Sequence, residues 1–245
     1  MFPYHDDNQT ERTPVVTIAL IALCVLTWVF VQGAGSSRAV AESVCNRGLI
    51  AGELTGQAVP GSGIPMGNGM TCLVDAGPEY LSIFTSMFLH GSWMHLLGNM
   101  WFLWLFGNNI EDSMTRPRFV IFYLLCGVAA ALLQVFTEPA SPVPMVGASG
   151  AISGVMGAYL ILYPKVKVYT LLPLGFFTTT YALPAWVMLI YWILIQVVGG
   201  FGGGEGGVAF WAHVGGFIAG IVLVKLFARS DYVARHRSAH WYPAR

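Results

Sequence analysis

The chain has 245 residues, of which 56% are apolar and only 10% are charged. Since a soluble domain usually carries about 25% charged residues, this composition excludes an ordinary soluble protein and indicates a membrane protein. The formal net charge of zero gives no support for a nucleic-acid partner.

Six segments are apolar over roughly the 17–25 residues that a helix needs to cross a bilayer. They occupy residues 15–32, 93–110, 119–136, 146–163, 183–199 and 208–228. The predicted fold is therefore an all-α polytopic membrane protein. A six-helix membrane domain, 15–229, contains a long external loop, 33–92, and lies between polar tails at 1–14 and 230–245.

The first apolar segment is followed by the run GAGSSRAVA, whose small residues resemble a signal-peptide cleavage region. Three acidic side chains and a single Arg12 precede the segment, which is 18 residues long. We therefore expect a helix that is retained. With a cytoplasmic N-terminus, ten Lys and Arg side chains lie inside, whereas only Arg38 and Arg47 lie outside. This bias predicts that both termini are cytoplasmic.

The external loop contains Cys45 and Cys72 and shows little helical or strand periodicity. In an oxidising compartment the two cysteines could form a disulfide, and the sequence leaves that pairing open. Cys24 and Cys126 fall within apolar segments, where a thiol usually serves as a small packing residue. Because no CxxC or HExxH pattern occurs, we expect neither a metal site nor a cofactor.

The second apolar segment begins HGSWMHLLGNM and carries several polar side chains. His95 and Asn99 are four residues apart, so a helix presents them on one face, where both can donate hydrogen bonds in the same direction. Polar groups are costly inside a bilayer, which makes both residues functional candidates. His90 lies about 140° around the helix from His95, and we interpret it as a histidine that anchors the loop.

The fourth apolar segment begins GASG and is short. Residues 149–163 give about 22 Å of helix, against a hydrocarbon thickness of about 30 Å. With Lys165 and Lys167 anchoring the inner end, Ser149 should lie below the outer surface. The non-helical residues before it must then enter the membrane, which requires that they line a water-filled cavity or are buried in protein. We therefore expect a sunken, wet cavity beside Ser149.

The sixth apolar segment carries His213 about one and a half turns into its helix. Glycines four residues apart occur in both the fourth and the sixth segments: Gly150, Gly154, Gly216 and Gly220. Such small-xxx-small patterns allow two helix backbones to approach closely. Ser149 and His213 would then lie near the start of two closely packed helices, with the hydroxyl within reach of the imidazole.

Each of these residues also has an ordinary structural interpretation. A serine at a helix start is usually an N-cap, a histidine within a helix often bonds a neighbouring carbonyl, and GxxxG occurs in many membrane proteins. However, the second, fourth and sixth segments run in the same direction, so their polar residues lie at similar depth. Together these residues match acyl transfer, which needs a nucleophile, an adjacent base and donors aimed at an oxyanion.

Four short motifs, H-x4-H-x3-N, GxxxE, GASG and AHxGG-x3-G, follow one another along the chain. They correspond to His90, His95 and Asn99, then Gly107 and Glu111, then 147–150, then 212–220. In this order and spacing, over about residues 84–225, the chain resembles the rhomboid intramembrane serine proteases of the bacterial six-span type. Each motif is weak alone, but the ordered set is highly specific.

The resemblance implies an enzyme that cuts peptide bonds in or near the membrane segments of other proteins. It implies that Ser149 is the nucleophile, that His213 is the general base of a dyad, and that the Ser149 backbone N–H, His95 and Asn99 hold the oxyanion. Glu111 and the four paired glycines are then structural. The implied setting is a bacterial inner membrane, with transmembrane protein substrates, lipid contacts and a site that opens to the external side.

Two features depart from the family pattern. In some members an aromatic residue stacks on the catalytic histidine, whereas the corresponding position here is Ser153, so another group must orient His213. The external loop also lacks a Trp-Arg pair, and its stretch PGSGIPMGNGM gives no recognisable membrane-embedded hairpin. Neither departure touches the chemistry, but the sequence does not predict the loop structure or the route of substrate access.

Two connections are less determined by the sequence. The glycine-rich segment 199–210 is consistent with a lid over the site and equally with a plain flexible linker. The segment 168–184 is too interrupted by proline for a span, and we expect it at the inner interface.

Two functions compete with proteolysis. A rhomboid-like protein without protease activity, which binds membrane proteins or serves in their quality control, would usually lack the serine or the histidine, and both are present. A small transporter would need polar residues along the inner halves of the spans, yet such residues largely stop below Ser153 and Asn99 until Asn108.

Overall fold

The computed structural model describes residues 2–67, 69–174, 177–202 and 207–240. The helices in these ranges are α1 (Val15–Leu26), α2 (Ser37–Arg47), α3 (Ala51–Thr55), α4 (Ser82–Thr85), α5 (Trp93–Asp112), α6 (Arg116–Thr137), α7 (Ser149–Leu162), α8 (Ala185–Phe201), α9 (Phe210–Phe227) and α10 (Ser230–His240). The strands are β1 (Phe2–Asp6), β2 (Leu49–Ile50), β3 (Gly63–Gly67), β4 (Met70–Leu73), β5 (Pro144–Met145), β6 (Lys167–Leu174) and β7 (Phe177–Pro184).

Each of the six predicted membrane segments contains one long helix, namely α1, α5, α6, α7, α8 or α9. By length and composition, α6 and α9 are long and apolar enough to cross a membrane. Three further apolar helices are shorter: Val15–Val31, which includes a π-helical turn after α1, and helices α7 and α8. The six helices are therefore present, while six membrane crossings remain a prediction.

The description of the chain as all-α needs correction, because it contains a three-stranded antiparallel sheet. Strands β6 and β7 form a hairpin within the segment 168–184, and β1, from the tail 1–14, pairs with β6 in the order β1-β6-β7. β-branched and aromatic residues such as Val168, Tyr169 and Thr170 favour a strand. The prolines of this segment argue against a spanning helix but do not argue against a hairpin. The tail at 230–245 likewise begins with a helix, α10.

The long connection 33–92 is more ordered than its sequence suggested. It contains α2, α3 and α4, and its glycine-rich stretch forms the β3–β4 hairpin. A disulfide joins Cys45, near the end of α2, to Cys72 in β4, with 5.4 Å between the Cα atoms. Strand β2 pairs with β5, the segment just before Ser149. This connection is therefore fixed both to itself and to the start of α7.

Helix α7 lies at the centre of the helical core, and its residues from Gly150 to Tyr159 are all buried. A Cβ atom at Gly216 would overlap the Gly150 carbonyl oxygen, and one at Gly220 would overlap the Gly154 carbonyl oxygen. The backbones of α7 and α9 are therefore in direct contact, as the paired glycine spacing predicted.

The periphery of the helices is apolar. Large side chains on several of them are 72–81% exposed: Phe30, Met94, Phe136 and Leu226. A soluble monomer rarely exposes many such side chains together. The surface is therefore suited to contact with lipid.

Candidate functional site

A cavity of about 700 Å³ opens at the N-terminal end of α7. Its lining includes Gly147 just before α7, Ser149 at the start of α7, His95 from α5, and Ala212 and His213 from α9. Three of the candidate residues found in the sequence thus share one cavity. We call this region the cavity end of α7.

Ser149 is the first residue of α7, and its side chain does not cap that helix. The N-cap position is Ala148, and no side-chain capping bond is formed there. Instead, the Ser149 Oγ lies 2.8 Å from the His213 Nε2. The ordinary interpretation of Ser149 as an N-cap is therefore not what the structure contains. A hydroxyl and an imidazole at this distance can exchange a proton.

His95 points one ring nitrogen into the same cavity. Its Nδ1 accepts a hydrogen bond from the Gly91 backbone N–H at 3.3 Å, so a neutral ring carries its proton on Nε2. A Cβ atom at Gly147 would lie 2.6 Å from that Nε2, and Gly147 also has a φ of 129°. Only glycine tolerates both conditions. The His95 Nε2–H is therefore a donor at the entrance to α7.

Asn99 is brought less directly to the site. Its side chain is buried, and its Nδ2 donates to the His95 carbonyl oxygen at 3.0 Å. Asn99 is not among the residues that line the cavity in the described part of the chain. It lies one helical turn beyond His95 and supports that turn of α5.

His90 is buried just before α5. Its backbone N–H donates to the Gln32 Oε1 at 2.9 Å, and its carbonyl accepts from the Gln32 Nε2 at 2.8 Å. Burial, with a smaller contribution from His95, lowers the pKa of His90 to about 3, so the ring is neutral. The ring centroids of His90 and His95 are 5.2 Å apart in an edge-to-face arrangement. His90 thus packs behind His95 and away from Ser149.

Two side chains of α8 contact His213, and the sequence analysis did not consider them. The Gln196 Oε1 lies 2.7 Å from the His213 Nδ1, and the Trp192 ring is tilted against the imidazole with centroids 5.7 Å apart. The sequence contains a signal for Gln196, because it is the one amide in the apolar run of α8 and a polar group inside a bilayer is costly. With Ser153 at the position of the aromatic residue of some family members, Gln196 and Trp192 are the groups that orient His213 here.

Gln134 of α6 was also not considered. Its Oε1 accepts a hydrogen bond from the Ala212 backbone N–H at 3.1 Å, in the first turn of α9. The same N–H also contacts the Ala209 carbonyl oxygen at 3.1 Å, so the bond to Gln134 adds a second acceptor in the helix turn that carries His213.

Glu111 lies far from the cavity, near the C-terminal end of α5. Its carboxylate accepts hydrogen bonds from the Val16 N–H at 2.9 Å and from the Thr17 N–H and Oγ1 at 2.7 and 2.9 Å. It thus binds the free backbone donors at the start of α1. Gly107, one turn earlier, faces Thr17 closely.

Two further expectations from the sequence concern a metal site and a lid over the cavity. Among the described residues, no three His, Cys, Asp or Glu side chains converge in a way that could hold a metal ion. The suggested lid at 199–210 includes residues 203–206, which lie outside the described residues, whereas Gly207, Val208 and Ala209 line the cavity.

Comparison with known proteins supports the motif-based resemblance. A family model described as the Rhomboid domain matches residues 77–230. Rhomboid-like protein 11, chloroplastic, of Arabidopsis thaliana is 29% identical over 161 residues, covering 62% of this chain and 54% of that protein. The putative rhomboid protease YdcA of Bacillus subtilis is 36% identical over 87 residues, covering 36% of this chain and 43% of that protein.

The rhomboid protease GluP of Bacillus subtilis is 31% identical over 143 residues, covering 58% of this chain and 25% of that protein. The chain thus spans about half the length of the first of these relatives and less of the other two. The Rhomboid domain match extends over more than half of the chain, and the protein therefore belongs to the rhomboid family.

Proposed function

We propose that the protein is an intramembrane serine protease in which Ser149 is the nucleophile and His213 the general base. The observation that carries this proposal is the 2.8 Å contact between the Ser149 Oγ and the His213 Nε2 at an open cavity. A hydroxyl is a weak nucleophile until an adjacent base accepts its proton. Family membership and two relatives named as rhomboid proteases point to the same activity.

In the proposed reaction, the His213 Nε2 accepts the Ser149 hydroxyl proton while the Oγ attacks the scissile carbonyl carbon. The resulting imidazolium then donates that proton to the leaving amine, and an acyl-enzyme remains. Water then loses a proton to the same Nε2 and attacks the ester carbonyl carbon. The imidazolium returns this proton to the departing Ser149 Oγ, which releases the second product and restores the hydroxyl.

The negative oxygen of the tetrahedral intermediate needs donors close to Ser149. The Ser149 backbone N–H has no acceptor within α7, because it belongs to the first turn. The His95 Nε2–H lies beside Gly147, on the same side of the cavity. Removing one such donor typically costs about 2.7–4 kcal/mol of transition-state stabilisation. Asn99 is a candidate third donor through its remaining amide hydrogen.

The membrane arrangement belongs to the same proposal. Rhomboid proteins are integral membrane proteins, and the apolar periphery of the helices fits that setting. We infer six crossings with the cavity end on the external side, because the Lys and Arg side chains concentrate on the opposite side. The proposed location is a bacterial inner membrane. The substrates are then membrane proteins whose spanning segment unwinds near the cut and has a small residue before it.

The proposal is tested with the purified full chain in detergent and a single-span reporter protein. Wild type should cleave the reporter, while Ser149→Ala and His213→Ala should not. Ser37→Ala and His5→Ala, at exposed positions away from the cavity, are the matched controls and should cleave like wild type. Equal cleavage by all five proteins would reject the assignment, since the activity would then come from a contaminant.

A fluorophosphonate probe gives a readout that does not need the natural substrate. It should label wild type and leave Ser149→Ala unlabelled, because only an activated serine reacts at a useful rate. A wild-type protein that folds but neither cleaves nor becomes labelled would favour a rhomboid-like binding protein without protease activity.

The role of Asn99 has its own measurement. Asn99→Ala should lower turnover without abolishing it, and the loss should be smaller than for His95→Ala because Asn99 is farther from the cavity. Unchanged turnover in Asn99→Ala would remove this residue from the oxyanion site and leave it as a support for α5.

A further inference from the structure

The contact between Gln196 and His213 has a chemical consequence that the dyad alone does not provide. Gln196 is 8% exposed, on the face of α8 that packs against α9. Its amide reaches the imidazole nitrogen that does not face Ser149. We propose that Gln196 is a positioning residue that fixes both the tautomer and the orientation of His213. This inference rests on the proposed function, because it assigns a third member to the same site.

The orientation of the Gln196 amide follows from its second contact. Its Nε2 lies 3.5 Å from the Trp192 carbonyl oxygen, which can only accept a hydrogen bond. This contact orients the amide NH₂ towards Trp192 and the amide oxygen towards His213. Because that oxygen also can only accept, the His213 Nδ1 has to carry the proton.

This protonation state is the one that the proposed reaction needs. With the proton on Nδ1, the neutral ring has a free lone pair on Nε2, which lies 2.8 Å from the Ser149 Oγ. The other tautomer would present an N–H to the hydroxyl and could not accept its proton. When Nε2 is protonated during the reaction, the Gln196 oxygen continues to accept from Nδ1–H and stabilises the imidazolium.

The surroundings explain why an amide suits this position. Trp192 packs against the imidazole and also against Phe217, so one side of the His213 ring has apolar surroundings. A carboxylate buried there would need compensation for lost solvation, whereas a neutral amide needs much less. Among the described residues that line the cavity, the titratable group besides His213 is His95. Gln196 thus supplies the acceptor of a triad without a buried charge.

The test compares Gln196→Met with Gln196→Glu in the full chain. Methionine has a similar length and flexibility but lacks a strong acceptor, while glutamate keeps an oxygen that can accept from Nδ1–H. Gln57→Met, at an exposed position outside the helical core, is the matched control. We expect Gln196→Met to lower kcat about tenfold or more, with KM little changed. Gln196→Glu should recover most of kcat.

A spectroscopic measurement separates positioning from general damage. In ¹⁵N-labelled protein carrying Ser149→Ala, the His213 ring signals, identified by their loss in His213→Ala, should report the Nδ1–H tautomer. Addition of Gln196→Met should shift them towards the Nε2–H tautomer, and Gln196→Glu should not. Thermal unfolding of each variant shows whether the fold is retained.

The outcomes distinguish this inference from the proposed function. Wild-type turnover and an unchanged tautomer in a folded Gln196→Met protein would overturn the inference and leave the dyad intact. A wild type without cleavage or labelling whose tautomer still depends on Gln196 would reject the protease and keep the positioning of His213. Loss of turnover in Gln196→Met with an unchanged tautomer would also overturn the inference, because Gln196 would then act in another way.

Discussion

Polar residues occur at both ends of α7, and the two ends treat them differently. At the cavity end, Ser149 and His213 face an open space of about 700 Å³. At the opposite end, which we call the Tyr159 end, the Tyr159 hydroxyl and the Asn109 Nδ2 both donate to the Asp6 carboxyl group, at 2.5 and 3.1 Å. That carboxyl group is buried, and space around it is filled by protein.

Two further carboxylates near the Tyr159 end are also held by several partners. Glu111 binds the start of α1, and Asp112 pairs with the Arg12 guanidinium at 2.9 Å. Each carboxylate has several partners, as a buried polar group requires. The comparison teaches that polar side chains alone do not mark a functional site in this fold. An open cavity and a base–nucleophile contact mark it, whereas buried carboxylates that accept several hydrogen bonds mark a structural cluster.

The strongest way to break the cavity end is to separate α7 from α9. Gly216→Ala would force a Cβ atom into the Gly150 carbonyl oxygen, where no flexible side chain can move aside. We expect activity to fall more than a hundredfold and stability to fall by more than the usual overpacking cost of about 1–3 kcal/mol. Reporter cleavage and thermal unfolding measure the two effects.

The matched control is Gly98→Ala in α5, where an added Cβ atom would meet nothing within 4 Å. This change should be neutral or slightly stabilising, because alanine favours helix over glycine. A Gly216→Ala protein with wild-type activity and stability would show that the two helices need not touch.

Removing Glu111 should affect stability and spare the chemistry. Glu111→Ala leaves the Val16 and Thr17 backbone donors without their acceptor, at a cost of about 1–3 kcal/mol. Thermal unfolding should shift down, while the fluorophosphonate labelling rate per folded molecule should stay near that of wild type. Glu42→Ala, an exposed residue that pairs only across one helical turn with Arg38, serves as the control. A large loss of labelling rate in folded Glu111→Ala would show that the two ends of α7 act as one functional unit.

Tyr159→Phe tests the Tyr159 end with a smaller change. It removes one hydrogen bond to Asp6 and leaves the ring packing with Phe106 and Tyr163 in place. We expect a loss of about 1 kcal/mol in unfolding free energy with unchanged turnover. Tyr191→Phe on the exposed face of α8 should change neither quantity. If Tyr159→Phe abolished cleavage at full stability, the division between the two ends would be wrong.

The smallest expected effect concerns Glu53 in the long connection outside the helical core. Burial is the main reason that its pKa is raised above the ordinary value of 4.5, and the Asp75 N–H bond opposes this only in part. A raised carboxyl pKa means that stability decreases as the pH rises through the folded-state pKa. Glu53→Gln should therefore raise the unfolding temperature slightly at neutral pH, and the difference should vanish below about pH 4.

The control for Glu53→Gln is the same substitution at a glutamate whose carboxylate is exposed to water. Glu42→Gln, at an exposed site, should show no such pH-dependent difference. A stabilisation that persisted unchanged at low pH would mean that the effect comes from packing and not from ionisation.

The sequence predicted the helical part of the fold because apolar runs and glycine spacing are local signals. Gly216 and Gly220 indicated a close approach of two helices, and the structure has that approach against Gly150 and Gly154. From this the sequence could predict that Ser149 and His213 lie near each other. The roles of these residues rest on the motif resemblance and remain to be tested by activity.

The sequence did not predict the features that depend on distant contacts. Strand β1 forms by pairing with β6, about 160 residues later, and the short strand β2 forms against β5. No local pattern reports such pairing. Gln196 was visible as a lone amide, but its partner is set by how α8 packs against α9. The cavity likewise depends on loops as well as helices, which no periodicity describes.

The pairing of β1 with β6 also sets an order of folding. Residues 2–6 leave the ribosome well before their partner strand, 167–174, which is made only after α7 is complete. The Asp6 carboxyl group likewise cannot reach Tyr159 until α7 has been made, so this contact is a long-range closure of the chain. During synthesis β1 stays without its partner strand while four of the six long helices, α1, α5, α6 and α7, are made. The Tyr159 end thus ties the first strand to α7 and β6, so that unfolding of either region would free the other.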